Sequence, residues 1–286
     1  IVVVEHQHEL VAPQAGHRVG VAHAGIDAPP ATLDELVEDA AKLAKRDDGG
    51  NYTTVGITLD MAGQDHQWWR EVLVRQFGGQ PYSDDNATVT YGSEAGIAAT
   101  QWYTDLQLKS KVGAVGFMDE GQAAFRAGRA GMTIDGTFRL GAFRGITDFD
   151  WGVVELPANA DGMRSNYASY FANGIGASAE GEKLEAAAKF LAYLSSPEAM
   201  QVWLDVVGEL PARPEVALTE ANLADPIYAP FLKGLEYAHT TKFVDEQAQR
   251  QVAMDMANRV FLQGQSAAES VAEAVVAEQA IIDRAK

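Results

Sequence analysis

Gly121-Gln122-Ala123-Ala124-Phe125-Arg126-Ala127-Gly128-Arg129-Ala130-Gly131-Met132-Thr133-Ile134-Asp135-Gly136 carries a helix, its stop and a strand in one short stretch. Residues 119–122 offer a capping-type start, Phe125 falls inside the helix, and Gly128 ends it. The apolar run 130–134 follows with no intervening loop, so a helix feeds directly into a strand, which is the signature of an α/β chain. That strand delivers Asp135-Gly136 to an edge from which Phe138 can face a cleft.

Toward the N-terminus, Val2, Val3 and Val4 read as a strand, and Pro29-Pro30 closes the segment. Thr32-Leu33-Asp34-Glu35 has the spacing of a capping box, so a helix starts there. Leu33, Leu36, Val37, Ala40, Leu43 and Ala44 keep one face of it apolar, Lys42, Lys45 and Arg46 suit the negative end of its dipole, and Gly49-Gly50 stop it. A strand is expected at 55–59, then an aromatic helix around Trp68-Trp69 ending at Gly78-Gly79, then loop and strand at 84–90. Ser93 opens a further helix through Trp102 and Leu106.

Toward the C-terminus, residues 149–156 and 174–177 read as strands, after which the pattern becomes helical. Leu184, Ala187, Ala188, Leu191 and Leu194 share a face, and Ser196-Pro197-Glu198 is an N-cap with proline at the first helical position. Gly208 sits where a C-terminal glycine belongs. Two more helices are expected, one over 245–262 and one from Ser266, where Ser266 and Glu269 repeat the capping-box spacing, to the C-terminus.

The 286 residues are 47% hydrophobic and 22% charged, an ordinary balance for one large or two smaller cores. Lys and Arg total 22 against 40 Asp and Glu, a formal charge of -18, and such a surface repels phosphate backbones and anionic headgroups. Nucleic acid is therefore not an expected partner, and no apolar run reaches the length that spans a bilayer. Cysteine is absent, which removes thiolate chemistry, Cys-ligated zinc and disulfides together.

The search for a catalytic motif finds no phosphate loop, no dinucleotide fingerprint, no His-Glu-x-x-His and no EF-hand series. Gly92-Ser93-Glu94-Ala95-Gly96 resembles the spelling of a nucleophile elbow, but Ser93 is out of register and is read as a helix cap. His6 and His8 share one side of a strand and could join His17 at a metal, yet no further ligand is tied to them by spacing, so no metal and no cofactor is expected. A two-carboxylate glycosidase stays open, because such a pair is defined in space.

Sugars expose flat C–H faces and a rim of hydroxyls, so a site for them needs aromatic rings and hydrogen-bonding groups together. Gln64-Asp65-His66-Gln67-Trp68-Trp69-Arg70 holds both kinds. Two readings stand side by side: one tryptophan lines a site, or both are core, since neighbours on a helix face different ways.

With these stretches in hand, the sequence resembles the family 1 extracellular solute-binding proteins, the group that includes the maltose-binding protein. The resemblance begins at Ala24-Gly25-Ile26-Asp27-Ala28-Pro29-Pro30-Ala31-Thr32-Leu33-Asp34-Glu35-Leu36 and continues in the stretch quoted first. It goes on through Asp150-Trp151-Gly152-Val153-Val154-Glu155-Leu156-Pro157, then Ala187-Ala188-Lys189-Phe190-Leu191-Ala192-Tyr193-Leu194-Ser195-Ser196-Pro197-Glu198, then Gly208-Glu209-Leu210-Pro211-Ala212-Arg213. Each block is weak; their order and spacing together are specific.

The resemblance implies an α/β, two-lobe periplasmic-binding-protein-like (type II) fold that closes over its ligand by a hinge. It implies a second lobe nearly complete and a first lobe truncated: residues 1–30 a hinge-proximal remnant, 31–178 an α/β lobe, and 179–286 a mainly helical segment shared between the lobes. His17-Arg18-Val19-Gly20-Val21-Ala22-His23 stands where the family usually has a Tyr-Asn pair, shortly before the Ala-Gly-Ile-Asp stretch. The implied function is the extracytoplasmic substrate-binding component of an ABC importer, periplasmic or extracellular and lipid-anchored through a missing N-terminus, with a carbohydrate ligand and the membrane permease as partners and no catalysis. The rivals are a glycan-active enzyme and a protein-interaction receptor module. The resemblance implies Phe138 and Tyr170 for stacking, with Ser169 and Arg213 as polar candidates; the chemistry of the 64–70 stretch adds Trp68 or Trp69 for stacking, with Asp65 and His66 as polar candidates. For Phe138 a buried core role is the competing reading, and Arg213 either binds ligand or braces its loop.

Overall fold

The computed structural model describes residues 2–6, by backbone alone, and 25–285. Of the histidine trio, His6 is described only in its backbone, and His8 and His17 lie outside the described residues, as does residues 17–23's departure from the family pattern. Helix α1 (Leu33–Leu43) starts at the expected box: Thr32 Oγ1 accepts from the Glu35 N–H, and Glu35 Oε2 accepts from the Thr32 N–H. It ends sooner than Gly49-Gly50 suggests. Ala44 is extended, and the strand β2 (Lys45–Arg46) pairs antiparallel with β3 (Tyr52–Ile57), so two of the cations expected at the helix end belong to a hairpin. Asp47 builds the turn, its carboxylate accepting from the N–H groups of Gly49 and Asn51.

With β1 (Val2–His6), β4 (Ala130–Ile134) and β5 (Asp150–Val154), these strands form one sheet in the order β2-β3-β4-β1-β5. β3 and β4 run parallel, and β1 is antiparallel to both β4 and β5. Every residue of β4 is buried, as befits a central strand covered on both faces. On one face α1 approaches so closely that a Cβ on Gly56 would lie 1.8 Å from the Ala40 carbonyl oxygen, so only glycine allows this contact.

A single helical run follows β3: α2 (Asp65–Gln67), a π-helical stretch Trp68–Leu73, and α3 (Val74–Gln76). Next come α4 (Glu94–Leu108), capped by Ser93 Oγ, and α5 (Gly121–Arg126), stopped at Gly128 with φ +63. After β4 and the short α6 (Leu140–Phe143) the chain passes through β5 to β6 (Asn166–Tyr167), then α7 (Gly181–Leu194), α8 (Pro197–Val206), α9 (Pro214–Ala217), α10 (Glu220–Ala224) and α11 (Ala229–Gly234). The strand β7 (Ala238–His239) pairs parallel with β6, and α12 (Glu246–Gln263) and α13 (Ala267–Arg284) close the chain. The Ser266–Glu269 box caps α13 as expected.

One core runs from Leu36, Ile57 and Met132 through Trp68 and Trp69 to Met256 and Ile282, joining the sheet to α4, α12 and α13. Within it Arg70 Nη2 meets Glu278 at 3.4 Å with both side chains wholly buried. The carboxylate is satisfied further by Tyr91 Oη at 2.7 Å, by Gln249 Nε2 at 2.9 Å and by Tyr82 Oη, the company a buried charge requires.

The segment from 168 to 223 behaves differently. Helix α7 buries none of its residues, and α8 buries only Leu204. Phe190, Tyr193 and Val206 are 60%, 52% and 77% exposed, so an apolar surface stands open. The strand expected at 174–177 is not formed: the ladder of β6 and β7 ends with the Ala168 N–H donating to His239, and beyond it the backbone has no partner strand among the described residues.

Candidate functional site

In parallel α/β sheets ligands bind beyond the C-terminal ends of the strands, where side chains leave the sheet toward solvent. β3 and β4 end there side by side. Their register pairs Val55 with Ala130 and Ile57 with Met132, so Thr58-Leu59-Asp60 continues in step with Thr133-Ile134-Asp135. The buried hydroxyls of Thr58 and Thr133 lie 2.9 Å apart and tie the two ends together.

Asp60, half-buried, accepts from the Gly63 N–H at 2.9 Å and from the Gly121 N–H at the start of α5 at 3.1 Å. Asp135, 5% exposed, accepts from the Gly136 N–H at 2.9 Å and pairs with Arg139 Nε at 3.5 Å. Behind them Asp65 Oδ2 accepts from the Asp60 N–H at 2.7 Å and from Tyr103 Oη at 2.6 Å. Burial pushes the Asp65 carboxyl up to about 7 and Asp135 up to about 6, and the neighbouring carboxylates push each in the same direction.

Phe138 sits on a single 3-10 turn, Thr137–Arg139, directly after Gly136. Its ring lies where a Gly136 side chain would be, 2.4 Å from the position of such a Cβ, and the Arg139 guanidinium stands 5.2 Å from its centroid. The ring is 42% exposed. Tyr167 Oη donates to Gln64 Oε1 at 2.7 Å, which fastens β6 to the loop that carries Asp60 and leads the chain on to Ser169 and Tyr170. An open ring beside carboxylates with spare lone pairs can stack on a C–H face while accepting hydrogen bonds from hydroxyls.

Of the residues expected from sequence, Phe138 lies at this strand end, and Asp65 lies just beneath it, buried and already hydrogen-bonded. Ser169 and Tyr170 are exposed on the irregular segment, Tyr170 at 78%. Trp68 and Trp69 are core residues, 0% and 1% exposed. Trp68 packs edge-on against Trp102 and Tyr103; Trp69 packs against Tyr91 and donates from Nε1 to Thr100 Oγ1 at 3.0 Å. The expectation that one of the pair reaches a cleft fails because the π-helical stretch is buried on all sides. His66 is likewise buried, its Nδ1 facing Arg70 Nη1 at 3.4 Å, and burial, with Arg70 and Arg250 beside it, holds it neutral, down to about 2. Arg213 donates to the Ser195 carbonyl and to Glu215 Oε1 at 2.8 Å.

Sequence reasoning chose none of Asp60, Gln64, Asp135, Arg139 and Tyr167 as ligand residues, although Gln64 and Asp135 stand in stretches it singled out. A signal for two of them stands in the chain: both strands lead out through Thr-aliphatic-Asp, at 58–60 and at 133–135. A shallow depression of about 670 Å³ between residues 77–83 and 90–95 shares no lining residue with this site. Among the described residues no group of three or more His, Asp or Glu could hold a metal ion, and no helix is long and apolar enough to cross a membrane.

Residues 12–230 match the family described as bacterial extracellular solute-binding protein. The sn-glycerol-3-phosphate-binding periplasmic protein UgpB of Yersinia enterocolitica is 24% identical over 195 residues, 65% of this chain and 42% of that protein. The protein of the same name from Yersinia pseudotuberculosis is 25% identical over 200 residues, 66% of this chain and 44% of that one. The chain thus spans less than half the length of these relatives. Among solved structures, the maltose/maltodextrin-binding domain MalE from Bdellovibrio bacteriovorus bound to maltotriose superposes with a TM-score of 0.77 at 19% identity, covering 98% of this chain and 70% of that one. UgpB from Mycobacterium tuberculosis in complex with glycerophosphocholine gives 0.73 at 20%, covering 92% and 66%. These likenesses show the type II periplasmic-binding fold.

Proposed function

Because this chain belongs to the bacterial extracellular solute-binding protein family, we propose that it is a substrate-binding component of an ABC importer that holds a sugar or oligosaccharide beyond the ends of β3 and β4. The family match favours a carrier over a glycan-active enzyme or a protein-interaction module, because the family is described by solute binding and its relatives are named as small-molecule-binding periplasmic proteins. The single observation that supports the location is the half-open Phe138 ring beside Asp135, at the strand ends where α/β sheets take ligands. Phe138 stacks on the ligand and Asp60 and Asp135 accept from its hydroxyls; Tyr170 and Ser169 reach it from the exposed segment. Arg213 positions the loop after α8. Closure of the two sides over the ligand presents it to the membrane permease outside the cytoplasm.

Thermal unfolding across a panel of neutral sugars tests the proposal, since a ligand that binds only the folded state raises the melting temperature. A rise with one or more sugars, with no cleavage product after incubation, supports a carrier. A cleaved product, or a panel with no rise at all, overturns it.

A further inference from the structure

Resting on that carrier reading, we propose that this site selects uncharged polyhydroxylated ligands and rejects phosphate esters, and that Asp60 and Asp135 set the selection. The relatives make the question a real one, for those named for sn-glycerol 3-phosphate take a phosphate ester, whereas the MalE domain was seen with the uncharged maltotriose. A phosphate needs unengaged N–H donors or a cation to receive it. At these strand ends, among the described residues, the chain's own carboxylates already hold the backbone donors and outnumber the cation beside them. Asp60 occupies the Gly63 and Gly121 N–H groups, and Asp135 occupies the Gly136 N–H and faces Arg139 Nε at 3.5 Å, so that this guanidinium stands against a carboxylate.

Among the described residues Arg250, near the Asp60 loop, is held by Glu246 at 2.6 Å and by the Ala62 carbonyl at 3.4 Å. A phosphate would therefore sit beside two carboxylates for one guanidinium, with Asp65 adding a third acidic group close behind. A hydroxyl meets no such conflict. An ionised carboxylate has about four lone-pair directions, so each Asp that accepts from backbone retains directions into which a sugar hydroxyl can donate. The formal charge of -18 acts in the same sense at long range, lowering the local concentration of anions.

Binding of maltose, maltotriose and D-tagatose as neutral probes and of sn-glycerol 3-phosphate as the anionic probe, measured on the full chain by calorimetry and thermal shift, tests this inference. At least one neutral probe is expected to bind tenfold or more tightly than the phosphate ester. Asp135→Asn, and Asp60→Asn as a second variant, are expected to narrow that ratio by about tenfold, because each keeps an acceptor oxygen and removes the charge. Circular dichroism checks that each variant is folded, and the wild-type ratio decides the matter even if one is not. A phosphate ester that binds wild type as tightly as the neutral probes overturns the charge selection and leaves the carrier reading standing. No response to any probe overturns the carrier reading, and the selection falls with it.

Discussion

The hydroxyls of Thr58 and Thr133 lie 2.9 Å apart in the buried interior, although 75 positions separate them in the chain. This contact sits at the point where two parallel strands hand over to Asp60 and Asp135. Replacing either threonine by valine leaves the other hydroxyl buried without its partner, which costs about 1–3 kcal/mol. Replacing both removes the unsatisfied group, and stability should return to within about 1 kcal/mol of wild type. Urea unfolding of the two single variants and the double variant gives the cycle; a double variant that is the plain sum of the singles would contradict the pairing.

Two buried neighbours give stability opposite pH dependences. Burial raises the Asp65 carboxyl from an ordinary 3.8 to about 7, so the folded state holds a proton that the unfolded state has lost, and stability falls as pH rises between about 4 and 7. Burial lowers His66 from 6.5 to about 2, so its contribution is complete above 6.5 and is lost as pH falls toward 2. Asp65→Asn can keep both acceptor contacts on one oxygen and should gain melting temperature over wild type at pH 8 but not at pH 4. His66→Gln should retain more of its neutral-pH stability at pH 4 than wild type does. Parallel profiles for wild type and both variants would refute these assignments.

The aromatic residues separate into two groups by exposure. Phe138→Ala and Tyr170→Ala remove open rings, so the fold should survive and affinity for a bound sugar should drop about tenfold, the worth of a stacking contact. Trp68→Ala empties part of the core and should cost about 3–5 kcal/mol of stability. Melting temperature and affinity measured on the same samples distinguish the groups. Loss of stability at Phe138 with affinity unchanged would remove it from the site.

The apolar side chains left open along α7 and α8 should make the chain self-associate as concentration rises. Phe190→Glu together with Val206→Glu should shift sedimentation toward the monomer without loss of helicity, because neither residue is buried. A wild-type chain that sediments as a monomer at every concentration would contradict the expectation.

What the sequence determined by itself was local. The boxes at Thr32–Glu35 and Ser266–Glu269, the cap at Ser93, the stop at Gly128 and the strand at Ala130–Ile134 all depend on groups within a few positions of one another, and the structure reproduces each. Family membership was legible for a related reason, since several such blocks follow one another at fixed spacing. Tertiary structure decided the rest. Lys45 and Arg46 left their helix because β3 offered them a strand partner, and residues 174–177 formed no strand because nothing among the described residues offered one. Trp68 and Trp69 could not be ranked as site or core until α4 covered one and Tyr91 the other. Asp60 and Asp135 became one site only when the parallel register of β3 and β4 set them side by side, for pairing between distant strands brings together residues that no local spacing relates.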